Sequence, residues 1–366
     1  MHKPRKIGVA LGAAGLLTAS SLGSAMAQDD LTEVSMVLQW VPQAQFAGYY
    51  AADALGFWEE QGLKVNFIDG GPEVFPQVEG SLPDGPEFAT SWVPRVLAVR
   101  DAGQSDLVNI GQVFQRSATL SVSWADNPVA SPEEFAGKTV GVWGGGNELE
   151  VFAAAQAAGL EPDVDFSTAI QSFTMDQLLN REIDVAEAMT YNEYAQLLET
   201  INPDTGELYQ ADDFVIIDYN EVGTAMLQDA IHARASWLAE EGNEDIAVRF
   251  LAGAFKGWAY CRDNPEECVQ ITFDAGSELG LGHQRWQMNE INPLIWPSPD
   301  GIGAMPQDEF DKTVQIAVDS GFLAAAPGED YVRTDLAEQA RALLTDTDLT
   351  GEGFEKGTVE VTENGE

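Results

Sequence analysis

Short apolar runs alternate along this chain with stretches in which apolar residues return every three or four positions. The runs predict strands at 34–38, 64–68, 88–92, 107–113, 120–124, 139–143, 169–173, 185–190, 214–219 and 230–233. The stretches of helical period predict helices at 47–60, 92–102, 148–158, 174–180, 192–199, 243–261, 265–273, 283–292, 308–320 and 336–344. Pro265 after Asn264 opens one helix, as proline does at a first turn. This alternation predicts an α/β protein with βαβ units and largely parallel sheets.

Length divides the pattern. About 339 residues follow the leader described below, too many for one simple core and suited to two lobes. Two segments, 121–127 and 217–223, read as connections between lobes. The segment 124–218 has its own alternation and forms lobe 2. The flanks 31–123 and 219–344 then make a discontinuous lobe 1. From 345 to 366 the chain is rich in Gly, Thr and Glu without apolar period, and a frayed acidic tail is expected.

Residues 1–27 read as a cleaved signal peptide. Lys3, Arg5 and Lys6 precede an apolar core of about eleven residues, too short to span a bilayer, and Ala25-Met26-Ala27 fits the small-x-small cleavage rule. A periplasmic or extracellular location follows. In such an oxidising compartment Cys261 and Cys268, the only cysteines, invite one disulfide across the turn Arg262-Asp263-Asn264-Pro265.

Charge changes the picture further. The chain has 60 acidic and 18 basic residues, a formal charge of −42, and −45 once the three leader cations are gone. That field repels nucleic acid and anionic lipid. With only seven lysines it also reads as adaptation to high salt, where short-range screening makes a carboxylate surface tolerable. No G-x-S-x-G, HExxH or Cys/His arrangement is present. The histidines at 232 and 283 lack ligand spacing and are assigned to packing or the surface. No metal or cofactor is expected.

Candidate chemistry collects where strands meet helices, the edge at which open α/β sheets bind ligands. After the first strand come Trp40, Gln43, Gln45 and Tyr49, an indole with nearby amides that suits a flat polar ring. Trp92, Gln112 and Gln115 end two further strands. Arg116 holds a carboxylate there or forms a surface ion pair. Trp143-Gly144-Gly145-Gly146-Asn147 is either an anion cradle at a helix N-terminus or a tight turn capped by Asn147. In Ala188-Met189-Thr190-Tyr191-Asn192-Glu193-Tyr194, Tyr191 and Glu193 are ligand candidates, and the alternative for Glu193 is a capping acid. Trp258 and Trp286 are assigned to core packing.

These segments, with Gly56-Phe57-Trp58-Glu59-Glu60-Gln61-Gly62-Leu63, Asp69-Gly70-Gly71-Pro72 and Gly137-Lys138-Thr139-Val140-Gly141-Val142-Trp143, give the chain a resemblance over residues 33–344. It resembles the solute-binding proteins of ABC importers for sulfonates, taurine and thiamine precursors, a family that includes the fungal thiamine-pyrimidine synthases. The resemblance implies a type II periplasmic-binding fold, two hinged lobes that close on a ligand. It implies a monomeric receptor that passes a small heteroaromatic molecule to an ABC permease. Trp40 would stack on the ring, Tyr191 would flank it, and Glu193 would bind an amino group. An aminopyrimidine thiamine precursor is the first expectation; riboflavin or an alkylsulfonate such as taurine is the alternative, the latter served by Ser91, Ser117 and Arg116. The synthase branch carries Phe-Lys-x-x-x-His where this chain has Phe88-Ala89-Thr90-Ser91-Trp92-Val93, and a cysteine cluster where it has Gly223-Thr224-Ala225-Met226-Leu227. A non-enzyme is expected.

Overall fold

The computed structural model describes residues 31–366; the leader lies outside the described residues. Ten strands form two five-stranded sheets. In chain order they are β1 (Thr32–Val37), β2 (Leu63–Ile68), β3 (Phe88–Trp92), β4 (Leu107–Gln112), β5 (Thr119–Trp124), β6 (Thr139–Val142), β7 (Ser167–Ile170), β8 (Val185–Met189), β9 (Phe214–Asp218) and β10 (Asp229–Arg234). One sheet has the order β2-β1-β3-β10-β4 and the other β7-β6-β8-β5-β9.

The two sheets share a plan. β1 runs parallel to β2 and β3, and β10 runs antiparallel to both β3 and β4. Likewise β6 runs parallel to β7 and β8, and β5 runs antiparallel to β8 and β9. The reversed strand in each sheet is the one the chain builds just after crossing from the other. Strand residues feed opposite faces in turn, as a period of two demands. Val108 and Ile231 enter one core, and their neighbours Leu107 and Ala230 enter another. Val185 and Ala186 divide in the same way in the second sheet. The central strands of both sheets are thus covered on both faces, which is why they read as nearly continuous apolar runs, whereas the edge strands β2 and β7 expose alternate or most positions.

The helix Ala47–Ala54 lies against the long helix Asn243–Asp263. Glycine is required at this crossing, because a Cβ on Gly257 would stand 2.0 Å from the Gly48 carbonyl oxygen.

The first crossing lies at residues 113–118. Sequence placed it at 121–127 and put residues up to 123 in lobe 1, but β5 pairs on both sides within the second sheet. The Pro- and Asn-containing stretch after Trp124 is a loop of the second lobe; the true crossing is the inconspicuous Gln115-Arg116-Ser117. The return crossing occupies residues 219–228. The two run side by side, with Ala118 N–H donating to Gln228 Oε1 at 2.9 Å and Phe114 N–H to the Asp229 carbonyl at 3.0 Å.

Residues 345–366 do not fray. They form an extended strap held by Ile302 N–H to Leu349 O (2.8 Å), Arg262 to the Asp348 carbonyl (2.9 Å), Lys356 to Glu290 (2.6 Å) and Asn364 N–H to Glu199 O (3.0 Å). Leu349 and Phe354 pack on the first core and Val361 on the second lobe. Its anchors are aperiodic, so a search for helical or strand period passes over them.

Cys261 and Cys268 are disulfide-bonded, joining two consecutive helices, Asn243–Asp263 and Pro265–Asp274. Closing a loop of sequence separation 7 is worth about 2.5 kcal/mol in the chain-entropy account. Reduction, or the double change of both cysteines to serine, is expected to lower Tm by about 3–4 °C, read by differential scanning calorimetry with and without reductant. Equal melting under both conditions would show that the bond adds nothing.

Candidate ligand-binding cleft

Every parallel strand that points toward the gap between the sheets ends in residues that line it. Trp40 follows β1, Gly71 and Pro72 follow β2, and Trp92 ends β3. On the other side Trp143 follows β6, Phe173 follows β7, and Tyr191 follows β8. The open cleft between the sheets has a volume of about 450 Å³. Clefts of roughly 300–1,000 Å³ are the usual size for small organic ligands. Two of the lobe-to-lobe contacts lie at its edge. Trp40 and Phe173 have ring centroids 4.6 Å apart at 58°, and Arg95 Nε donates to the Gly145 carbonyl at 3.3 Å.

The wall is aromatic. Trp40, Phe75, Trp92, Trp143, Phe173 and Tyr191 all line it. Trp143 is fixed at both ends, its backbone N–H donating to Glu187 Oε2 (2.9 Å) and its indole N–H to the Ser172 carbonyl (3.0 Å). It lies 18° from parallel to Phe173, with centroids 6.4 Å apart. Trp40 is half-buried, with packing on one side and the cavity on the other.

The polar groups are fewer and mostly acidic or amide. Glu193, in the first turn of its helix, is buried; it accepts from Met189 N–H at 2.9 Å and from Asn192 Nδ2 at 2.6 Å. Burial raises its pKa, opposed by those bonds. Asn192 flanks the helix but makes no side-chain cap. Its Oδ1 instead meets His283 Nε2 at 3.0 Å, and His283 Nδ1 meets Glu199 at 2.9 Å. His283 is therefore a buried link between the lobes, and His232 is buried against the Tyr331 hydroxyl at 3.0 Å. Beneath the floor Asp229 accepts from Trp92 Nε1 (2.8 Å), Gln45 Nε2 (2.8 Å) and Gln39 Nε2 (3.3 Å). Burial pushes its pKa up to about 6 against the pull of Gln45, Trp92 and Arg95. Arg95 is the one cationic side chain on the wall among the described residues.

Of the residues singled out from sequence, Trp40, Gln43, Gln45, Trp92, Trp143, Gly144, Gly145, Asn147, Tyr191 and Glu193 line this cavity. Tyr49 does not. It faces the long helix and meets Trp258 edge-on at 5.5 Å, in a helix whose positions 47–52 are all buried. Gln112 is spent inside the sheet, donating to the Phe114 carbonyl at 2.8 Å and accepting from Asn109. Gln115 ties Gln112 O (2.9 Å) and Ala304 O (3.2 Å). Both amides satisfy backbone carbonyls at the crossing, where regular sheet bonding stops. Gly146 backs onto Phe322 instead of the cavity. The glycine turn is partly filled from within. Glu148 folds back onto Gly146 N–H at 2.9 Å, and Asn147 bonds the Gly144 carbonyl instead of capping the helix. All three glycines have positive φ, from 69° to 100°, so the turn itself requires them.

Sequence reading missed Gln39, Arg95, Phe75, Phe173 and Asp229. Gln39 had a signal, since it adjoins Trp40 after the first strand. Phe173 ended a predicted strand, as Trp143 did. Asp229 is one of 60 acids, and nothing local distinguishes it.

The sequence model of the family described as "NMT1/THI5 like" matches residues 43–268. The riboflavin-binding protein RibY of Chloroflexus aurantiacus is 25% identical over 309 residues, 82% of this chain and 84% of that protein. The formylaminopyrimidine-binding protein of Halalkalibacterium halodurans is 22% identical over 262 residues, covering 70% and 75%. Among solved structures, the periplasmic aliphatic sulphonate-binding protein SsuA of Escherichia coli superposes with a TM-score of 0.61 at 12% identity, covering 82% of this chain and 92% of that one. The desulfurization enzyme DSZB shares the fold at TM-score 0.55 and 10% identity.

Proposed function

Because the chain belongs to the NMT1/THI5-like family, we propose that it is the exported solute-binding receptor of an ABC importer, closing its two lobes on a planar heteroaromatic nutrient. The observation that carries this reading is the cavity wall: six aromatic side chains, a buried carboxylate at Glu193, and a single arginine. Aromatic faces bind flat rings, and a carboxylate at the rim accepts ring or exocyclic N–H groups.

Within that class the volume of about 450 Å³ favours a flavin-sized compound. At about 30 Å³ per liquid water the space equals roughly fifteen waters. A single pyrimidine ring leaves much of that volume to water, whereas a tricyclic ring with its side chain fills more. An aminopyrimidine thiamine precursor is the second reading, favoured by Glu193 beside Tyr191. Both ligands present a pyrimidine edge with N–H donors.

A sulfonate fits less well. Ser117 is buried at the crossing, hydrogen-bonded to Glu150 at 2.8 Å. Arg116 donates to the carbonyls of Pro293 and Pro297 (3.2 and 3.1 Å), and Ser91 points to Gln77. None of the three lines the cavity.

Outside the cell membrane the receptor would meet its permease as a monomer, and the surplus of acid would keep it hydrated in high salt. No helix among the described residues is long and apolar enough to cross a membrane. The residues that the synthases use are replaced here, which supports binding without catalysis.

Thermal unfolding with riboflavin, formylaminopyrimidine, taurine and nitrate tests the reading. A ligand at a hundred times its Kd adds about 2.7 kcal/mol, so a rise of several degrees is expected with one heteroaromatic compound. A shift with taurine or nitrate alone would overturn it.

A further inference from the structure

Asp229 imposes a direction on every amide of the cleft floor. An ionised carboxylate only accepts hydrogen bonds, so Gln39 and Gln45 must each turn an NH2 toward it. With its NH2 committed, Gln45 presents Oε1 to Gln43 Nε2 at 2.7 Å. Gln43 Oε1 is in turn taken by Gln287 Nε2 at 3.0 Å. That branch ends satisfied. The other branch does not. Gln39 is 7% exposed, its backbone N–H is bound to Thr90 Oγ1 at 2.8 Å, and its NH2 is on Asp229, yet its Oε1 has no partner. Gln39 lines the cavity next to Trp40. Buried acceptors without partners are rare and usually wait for something.

We propose that Gln39 Oε1, held in one orientation by Asp229, accepts an N–H from the bound heterocycle and so selects ligands that carry such a donor. Asp229 is then a positioning residue and Gln39 the specificity-determining one. The inference rests on the heteroaromatic reading and deepens it. Stacking on Trp40 tolerates any flat ring, so a polar contact is needed to discriminate among rings. A site built around an N–H rejects the analogue lacking it, because the analogue leaves the acceptor buried and bare. The near-identity of Asn and Gln oxygen and nitrogen in density makes the bonding pattern the means of assigning their orientation, and here the acceptor-only carboxylate assigns it.

The test compares ligands on the natural chain first. Titration calorimetry measures riboflavin against 3-methylriboflavin, and formylaminopyrimidine against its 4-dimethylamino analogue. The natural protein is expected to prefer the N–H member of the pair it binds by at least about tenfold. In Gln39→Met, matched in length but without the oxygen, the preference should collapse. In Asp229→Asn it should shrink while thermal unfolding stays cooperative. Equal binding of both members by the natural protein, or a preference that survives Gln39→Met, overturns the proposal and leaves the receptor reading standing. Failure of all four compounds to bind overturns the heteroaromatic reading and this proposal's ligand with it. The orientation is judged separately by hydrogen exchange of the Gln39 side-chain NH2, identified by its absence in Gln39→Met. Slow exchange that Asp229→Asn accelerates supports a held amide; fast exchange in the natural chain overturns it.

Discussion

Replacing Trp40 with alanine is expected to weaken binding of the heteroaromatic ligand about a hundredfold while the chain still folds. Two losses add. Stacking of a base on an aromatic side chain is worth about 1–3 kcal/mol. The indole also makes a lobe-to-lobe contact with Phe173, 4.6 Å between centroids, so its removal widens the opening of the cleft to water. Folding survives because Trp40 is half-buried at the rim, outside the close-packed interior formed by Phe88, Phe250 and Trp258. Trp40→Phe should recover most of the affinity. Tyr49→Phe should leave it unchanged, because Tyr49 sits in the helical core against Trp258. Titration calorimetry of the three variants decides the matter. Full affinity in Trp40→Ala would remove stacking from the account of this cleft.

The contrast between Trp40 and Tyr49 also shows what the sequence made legible. Nine of the ten strands were readable at close to their observed places because they are largely apolar runs of strand length; the one expected at 169–173 lies at Ser167–Ile170, an exposed edge strand with too little apolar pattern to fix its bounds. Most of the cleft was readable too, because open parallel sheets put ligand contacts at strand ends, and strand ends can be located. Within a strand-to-helix segment, however, the sequence gives no reason to separate Trp40, which faces the gap, from Tyr49, which faces a helix two hundred residues away. Gln112 and Gln115 fail for a related reason. An amide at a strand end is equally suited to a ligand and to stray carbonyls, and here the crossing left carbonyls to satisfy. Asp229 and Arg95 were invisible because their roles come from tertiary partners alone. The glycine turn was located correctly, but whether its N–H groups were free depended on a Glu148 side chain that folds back into it.

Changing Glu150 to glutamine is expected to do little below about pH 5 and to stabilise the protein increasingly as pH rises from there to about 8, with the full gain above it. Glu150 sits in the helix Leu149–Ala157 of the second lobe, 2% exposed, where both crossings meet. Ser117 Oγ, from the first crossing, lies 2.8 and 2.9 Å from its two oxygens, and Met226 N–H, from the second, donates at 3.0 Å. Ser117 Oγ in turn receives Gln228 Nε2 at 3.0 Å. Burial pushes the carboxyl from 4.5 up to about 8, against the pull of Ser117 and Met226. A pKa raised on folding means that the native state holds the proton longer than the unfolded chain does. The stabilising contribution is complete below about 4.5 and is lost as pH rises through about 8, with an upper limit on the order of 5 kcal/mol. Glutamine keeps an oxygen for Met226 N–H and an NH2 for Ser117 without a charge to bury. The other buried acids, Asp229 among them, titrate in both proteins and drop out of the difference. Melting temperatures of the two proteins should agree within about 2 °C at pH 5 and diverge by about 5 °C or more at pH 9, with the glutamine form higher. A difference that is flat from pH 5 to 9 would mean that Glu150 does not titrate in this window. Since Glu150 pins both crossings at once, the same ionisation would loosen the hinge on which closure around the ligand depends. Ligand affinity of the natural chain should then fall between pH 7 and 9 while that of Glu150→Gln holds.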